Sequence, residues 1–398
     1  MDTAMHKGIP DRVPGMCQLS IGHYLLNTGV SPARLWHSTE GFVEALLSLR
    51  ERYQFDGILV NLPGRPSDWQ RDIARIETRD DGEIIHWKDG SYTWCPGDDN
   101  VQNFRLKPGS ADFIRDIQLR PSIEDVNIDG LFYDDPHTNG GLKYPVHHYD
   151  FDDAPKDPSK PDEWFTPYEF RAFSKLREAT GGTVSIHGEL FSPFTQLMEL
   201  LGYQEALMAL LIQPDTCKAI LDRYSEGCIE YGYRLAEHGV DAILNSSAFA
   251  GGGFISKAMY EEFVLPCEKK LWDGIKGRYP DIPCYTHTCG AIGDRLDLME
   301  ATGLDGIDTL DPPPLGTAEL HEAKEQLGTR IFIKGNIDSV NTLLHGSRET
   351  AIDDMKQRIE WGKPGGAYIL STACSVAPRV KPDRLEAIIP VCEEFGGY

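Results

Sequence analysis

The segment "CYTHTCGAIGD" (284–294) sets an imidazole and a thiol two positions apart, His287 and Cys289, at the end of an apolar run. Alternate residues of an extended strand point to one face, so both side chains project together. An imidazole nitrogen and a thiolate sulfur are metal ligands, and zinc takes them in a tetrahedron with bonds of about 2.0–2.3 Å. A His-x-Cys pair alone is a weak signal, because buried cysteine is a common core residue. Two further residues strengthen it. Cys374 ends the apolar run "AYILSTAC", and Glu189 closes "TVSIHGE". The reading is a zinc site of His287, Cys289 and Cys374, with Glu189 as a fourth ligand that substrate replaces during turnover.

Distant residues meet only if the chain supplies a frame. Eight apolar runs read as strands: 16–21, 57–62, 183–190, 240–247, 284–289, 304–310, 330–337 and 367–374. Helical patterns lie between most of them. "TEGFVEALLSLRERYQ" carries apolar residues at helical spacing, with Thr39 as its N-cap. "YQEALMALLIQPDTCKAILDRYSEGCIEYGYRLAEHG" reads as two helices broken near Pro214, the second closed by Gly239. Strands alternating with helices predict a (β/α)8 TIM barrel. The brief connection between the fifth and sixth strands is its weak point. An open doubly wound sheet is the other fold considered, but no glycine-rich phosphate loop follows the first strand.

Catalytic groups of such barrels sit at the C-terminal ends of the strands. Those ends here carry Ser20 and His23, Asn61, His187 with Glu189, Asn245 with Ser246 and Ser247, His287 with Cys289, Asp308 and Asp311, Asn336 and Asp338, and Cys374. Polar ends gathered at one edge point to a shared site. His187, Asn61, Asn245 and Asn336 are the candidates for holding substrate. Cys217, Cys228 and Cys267 lie in helical segments and read as core; Cys284 faces away from the His287/Cys289 pair.

Residues 63–180 interrupt the repeat between the second and third strands. "GEIIHWKDGSYTWC" reads as a hairpin with its turn at Lys88-Asp89-Gly90. "DGLFYDDPHTNGGLKYPVHHYDFDDAPKDPSKPDEWF" comes next, rich in Asp, Pro, Gly and aromatics; His147 and His148 read as surface residues in it. A long excursion of this kind serves as a lid or substrate wall. Trp36, Trp69, Trp87, Trp94 and Trp164 all fall before residue 165 and either line a pocket or pack the excursion. The expected organisation is one barrel domain over 1–398 with this insertion.

The net charge of −23 sets the chain against nucleic acid and anionic membranes. No apolar run is long enough to span a bilayer, and the N-terminus has no signal-peptide core. Nine scattered cysteines, an odd number, fit a reducing cytoplasm.

The segments "PDRVPGM" (10–16), "SPFTQLMELLGYQEALMALLIQPD" (192–215), "SKAMYEEFVLPCEKKL" (256–271), "THTCG" (286–290), "IKGNIDSV" (333–340) and "ILSTACSVAPRVKPDRLEAII" (369–389) resemble the uroporphyrinogen decarboxylase-like superfamily. Within it the chain looks most like the cobalamin (corrinoid)-dependent methyltransferases. The resemblance implies the same barrel, and a zinc centre at His287, Cys289 and Cys374; Glu189 is inferred from its strand position. Decarboxylases of the superfamily carry an arginine-rich stretch near the first strand, whereas here it reads "GMCQLSIGHYLL". A tetracarboxylate substrate is therefore not expected. The long excursion is similar to that of methyl-donor-side components, which demethylate aryl methyl ethers or related small molecules. The implied activity moves a methyl group from such a substrate to the Co(I) corrinoid of a partner protein. Two alternatives stand beside it: methyl transfer from methylcobalamin to a thiol or tetrahydrofolate, and a metal-free decarboxylase in which the cysteines are core.

Overall fold

The computed structural model describes residues 1–107, 109–115, 120–131, 160 and 164–398. His147, His148 and most of the aromatic stretch around them lie outside the described residues. Twelve strands are described. They are β1 (Gly57–Val60), β2 (Ile73–Arg79), β3 (Gly82–Trp87), β4 (Tyr92–Pro96), β5 (Gln102–Leu106), β6 (Phe113–Arg115), β7 (Ser185–Phe191), β8 (Ala242–Ser246), β9 (Cys284–Thr288), β10 (Gly306–Thr309), β11 (Phe332–Ile337) and β12 (Tyr368–Thr372).

Seven of them, β1 and β7 to β12, form one parallel sheet in chain order. With helices between successive strands the arrangement is TIM-barrel-like. Each strand is buried along its whole length apart from Ser185, as expected when both faces are covered. The two faces have different content. Leu59, Leu244, Tyr285, Phe332 and Ile369 meet Ala4, Met5 and Met16 in one cluster inside the curved sheet. Ile58, Val60, Ile186, Leu190, Ile243, Ile307, Ile333 and Leu370 belong to the larger core between sheet and helices. That division assigns the parity of every strand: residues two or four beyond an inner one also face inward.

The sequence reading of 16–21 as a strand is corrected. Only isolated bridges form there, Gly15 with Leu370 and Leu19 with Val376, and Ile21 already starts the helix Ile21–Thr28. The segment nonetheless lies along β12: Met16 N–H donates to the Leu370 carbonyl (3.0 Å) and Val376 N–H to that of Gln18 (2.8 Å). On its other side a side chain takes the place of a ladder. Gly15 N–H donates to the Asp56 carboxylate (2.8 Å), which Arg12 grips with two N–H groups at 2.9 Å each. On that side Asp56 N–H also donates to the Gly15 carbonyl at 2.9 Å.

The helices agree with the sequence in position more than in capping. Ser38, not Thr39, caps the helix Thr39–Tyr53, accepting from Gly41 N–H at 3.2 Å. Pro214 does divide two helices, Tyr203–Ile212 and Pro214–Glu237, and starts the second. Gly239 follows that helix with φ +73°, a left-handed turn that glycine adopts at no steric cost. Between β9 and β10 the connection holds only a 3-10 turn and the short helix Leu296–Ala301. Cys217, Cys228 and Cys267 are buried among the helices, and Cys284 in the outer core.

Between β1 and β7 the chain builds a second sheet, the antiparallel meander β2 to β6. Its β3/β4 hairpin turns at Lys88-Asp89-Gly90, with Trp87 N–H donating to the Ser91 carbonyl at 3.0 Å. Ile85, Trp87, Cys95 and Val101 join the main core. Trp36, Trp87 and Trp164 are packed rather than left open to a pocket. The meander also reaches the chain after β12, where Asp98 pairs with Arg379.

Candidate metal centre

His287 projects from the inner face of β9, two residues beyond Tyr285 of the inner cluster. Cys289 follows one residue after the strand ends. There Gly290 turns at φ +78°, and its N–H donates to the Asp311 carboxylate at 2.7 Å. Cys374 lies just past β12. Its backbone is held by Ser339, whose hydroxyl accepts from Cys374 N–H (3.1 Å) and sits 3.2 Å from the Cys374 carbonyl. Three separate stretches thus deliver one imidazole and two thiols to the same point.

The Cys289 sulfur is 3.3 Å from His287 Nε2 and 3.6 Å from the Cys374 sulfur, and the three ligand atoms lie within 4.8 Å of one another. Ligands tetrahedrally arranged around zinc at its usual bond lengths sit about 3.5–3.8 Å apart. The donor set therefore fits zinc in both chemistry and spacing. The two sulfurs are too far apart for a disulfide, which needs about 2.05 Å.

Hydrogen bonding from Cys289, against the opposing effect of burial, and the nearby His287 hold the Cys374 thiol well below its ordinary range. Burial disfavours charge on His287, but Asp308 and Cys374 outweigh it and raise the imidazole to about 10. A dication must expel the proton from that ring before Nε2 can ligate. Metal affinity is accordingly expected to rise with pH by about one decade per unit or more through the neutral range. Competition with a chromogenic chelator between about pH 6.5 and 8.5 measures the slope. A flat profile would contradict ligation by His287.

Behind His287, Nδ1 faces Asp308 Oδ2 at 3.2 Å, and Lys334 Nζ donates to Asp308 Oδ1 at 2.9 Å. Burial would push Asp308 up; Lys334 and His287 overcome it and hold the carboxyl below its usual range. Sequence reading placed Asp308 at a strand end but gave it no task, and it passed over Lys334. The available signal was a lysine inside the otherwise apolar run "RIFIKGNI", at the same parity as Asn336.

The remaining candidates divide. Glu189 is buried on β7, but its carboxylate is not part of the three-residue group; β8 stands between its strand and β9. His187 lies in the interior with both ring nitrogens engaged, Nδ1 by the Tyr285 hydroxyl (2.7 Å) and Nε2 by Ser185 Oγ (3.0 Å). Burial lowers its pKa to about 3, which favours the neutral ring. Asn245 is corrected outright: it points to the helix layer and donates to Glu268 at 3.1 Å, because its parity matches Ile243 of the outer core. Asn61 and Asn336 have inner parity. Asn336 Nδ2 donates to the Leu310 carbonyl (2.8 Å), and the side-chain oxygens of both have no hydrogen-bond partner among the described residues.

Comparison with known proteins agrees with this frame. The family model for uroporphyrinogen decarboxylase (URO-D) matches residues 141–395. The methylcobamide:CoM methyltransferase MtaA of Methanosarcina barkeri is 26% identical over 229 residues, 58% of this chain and 64% of that protein. The methylated-thiol–coenzyme M methyltransferase of Methanosarcina mazei is 24% identical, over 57% of this chain and 58% of its own length. A uroporphyrinogen decarboxylase of Ruthia magnifica is 24% identical, over 57% and 65%. This chain thus spans just under two thirds of the curated relatives it matches. A solved methyltransferase structure from Methanosarcina mazei superposes with a TM-score of 0.66 at 17% identity, covering 99% of this chain and 97% of that one, and shows the shared fold. The chain belongs to the uroporphyrinogen decarboxylase (URO-D) family, and its likeness to the corrinoid methyltransferase branch is carried by the two Methanosarcina methyltransferases.

Proposed function

We propose that the chain is a zinc-dependent methyltransferase that moves a methyl group between a small substrate and the corrinoid of a partner protein. The observation that carries the proposal is the convergence of His287, Cys289 and Cys374 at the C-terminal edge of the parallel sheet. Similarity to proteins named as methylcobamide methyltransferases supports it. The segment 14–20 is read as the eighth stave, which makes the chain a single (β/α)8 barrel. Residues 63–180 are read as its insertion, of which the meander β2 to β6 is described. The nine cysteines, none of them in a disulfide among the described residues, support a cytoplasmic location, and no described helix is long and apolar enough to cross a membrane.

For the substrate we propose an aryl methyl ether, demethylated toward Co(I). When bound, zinc supplies a Lewis acid that polarises the ether oxygen and stabilises the departing oxyanion. The chain's own residues prepare that chemistry. Asp308 holds the His287 ring so that Nε2 faces the two sulfurs. Ser339 fixes the Cys374 backbone, and Asp311 fixes the turn after Cys289. His287, Cys289 and Cys374 would hold the zinc, with Glu189 as the fourth ligand that substrate replaces during turnover. Asn61 and Asn336 have inner parity and are read as substrate contacts. A Co(I) corrinoid on the partner would supply the electron pair that takes the methyl group as its bond to oxygen breaks, and the oxyanion would take its proton from solvent.

A second reading runs the transfer toward a thiol. The relatives named as coenzyme M methyltransferases favour it. One experiment decides between the two. Purified protein is assayed for zinc, then mixed anaerobically with Co(I) corrinoid and methoxyaromatics, methylamines or methyl thioethers. Separate mixtures hold methylated corrinoid with thiols or tetrahydrofolate. Methylation of the corrinoid, seen by absorbance, with a methoxyaromatic supports demethylation. Demethylation with a thiol alone reverses the direction. About one zinc per chain is expected; none, with no methyl transfer in either mixture, returns the chain to a metal-free decarboxylase or binding role.

A further inference from the structure

Behind the metal ligands lies an ion pair in a place where charge is costly. Lys334 and Asp308 expose only 1% and 2% of their side chains. Both sit inside the curved sheet, a layer above the aromatic and aliphatic plug of Tyr285, Phe332 and Ile369. Strand register explains how they meet. Asp308 on β10 stands directly opposite His287 on β9 and directly opposite Lys334 on β11. The three side chains form one row across three neighbouring strands, all of inner parity. Such a pair is retained at a cost in desolvation, and replacing it by packed apolar groups is often neutral or stabilising. Stability alone gives no reason for it.

The row has a definite order. Lys334 Nζ occupies Asp308 Oδ1 at 2.9 Å, which leaves Oδ2 directed at His287 Nδ1, 3.2 Å away. With Nδ1 committed there, the opposite nitrogen, Nε2, points at the Cys289 sulfur at 3.3 Å. An imidazole without a fixed partner can present either nitrogen. Outer partners of metal-ligating histidines set ring orientation in this way.

We infer that Lys334 is a positioning residue for the metal centre: it anchors Asp308 so that the carboxylate holds His287 with Nε2 toward the two thiols. The inference rests on the zinc reading of the site. Lys334 is not one of the three candidate ligands and acts through two hydrogen bonds in series.

The test uses the full-length chain and zinc or cobalt(II) alone. Lys334→Met removes the anchor, and metal affinity is expected to fall about 10- to 100-fold. Under cobalt(II), the ligand-field bands are expected to shift, since the imidazole is no longer held. The change Lys334→Gln removes the charge yet keeps an N–H donor for Asp308 Oδ1. It is expected to recover the affinity to within about fivefold of the unmodified chain and to restore the cobalt spectrum. Loss of the buried charge alone would affect both variants alike, since both side chains are neutral. Should Lys334→Met fail to fold, Lys334→Gln decides alone, and a large loss of affinity in it overturns the inference. Wild-type affinity in Lys334→Met overturns it equally. If the unmodified chain binds no zinc, the metal reading itself falls and takes the inference with it; if that chain binds zinc and the variants behave alike, only the inference falls.

Discussion

Cys289→Ala is expected to abolish stoichiometric zinc binding and to reduce methyl transfer by more than about 100-fold, the upper end of what losing only an outer partner costs a metal site. The argument is geometric. Cys289 contacts both other members of the trio, at 3.3 Å to His287 Nε2 and 3.6 Å to the Cys374 sulfur. Without it, one imidazole and one thiol remain, and two ligands do not hold zinc against water and buffer. The fold should persist. Cys289 is only half-buried, at the edge of the sheet, and does not belong to either apolar cluster. A stability change within about 1 kcal/mol is expected, as for a substitution outside the core. Metal content and thermal unfolding of the same preparation check both halves. Full zinc occupancy in the variant would remove Cys289 from the ligand set. Unfolding would make it a structural cysteine.

Phe332→Ala should do the reverse, sparing the ligands and loosening their frame. Its ring is fully buried in the inner cluster, with its centroid 5.5 Å from that of Tyr285. It also fills the space that Gly306 leaves: a Cβ on Gly306 would come within 2.2 Å of the ring. Deleting the ring opens a cavity lined on one side by a glycine, which has no side chain to move in. A loss of about 3–5 kcal/mol is expected, the usual range for phenylalanine to alanine in a core. Urea unfolding measures it, and a lower midpoint at unchanged slope would identify a pure stability effect. Zinc stoichiometry should remain, because the three ligands come from the layer above the plug. A loss below about 1 kcal/mol would mean that the interior is not packed as described.

The contrast between Asn245 and Asn336 shows how far the sequence could be read. Both ended apolar runs and both looked like site residues. Counting parity from Ile243 and from Phe332 separates them, but that count needs to know which face of each strand is inner. A strand buried on both sides carries apolar residues at every position, so its pattern does not say. Thr39 and Ser38 make a similar point: two adjacent residues suited to capping are distinguished only by where the backbone leaves extended geometry. Lys334 was missed because buried charge is rare enough that a lone lysine in a strand reads as an exposed end.

What the sequence determined by itself was local and periodic. Alternation within "CYTHTC" puts His287 and Cys289 on one face, apolar runs spaced by helical patterns impose a parallel sheet, and thiol and imidazole chemistry marks a candidate ligand pair. What only the tertiary structure decided was everything that depends on register between distant strands. Cys374 comes within 3.6 Å of Cys289 across 85 residues of chain, Asp308 lies opposite both His287 and Lys334, and β8 stands between the strand of Glu189 and that of His287. The physical reason is that side-chain direction follows from bonds within a strand, whereas proximity between strands follows from hydrogen bonding and packing of the whole sheet.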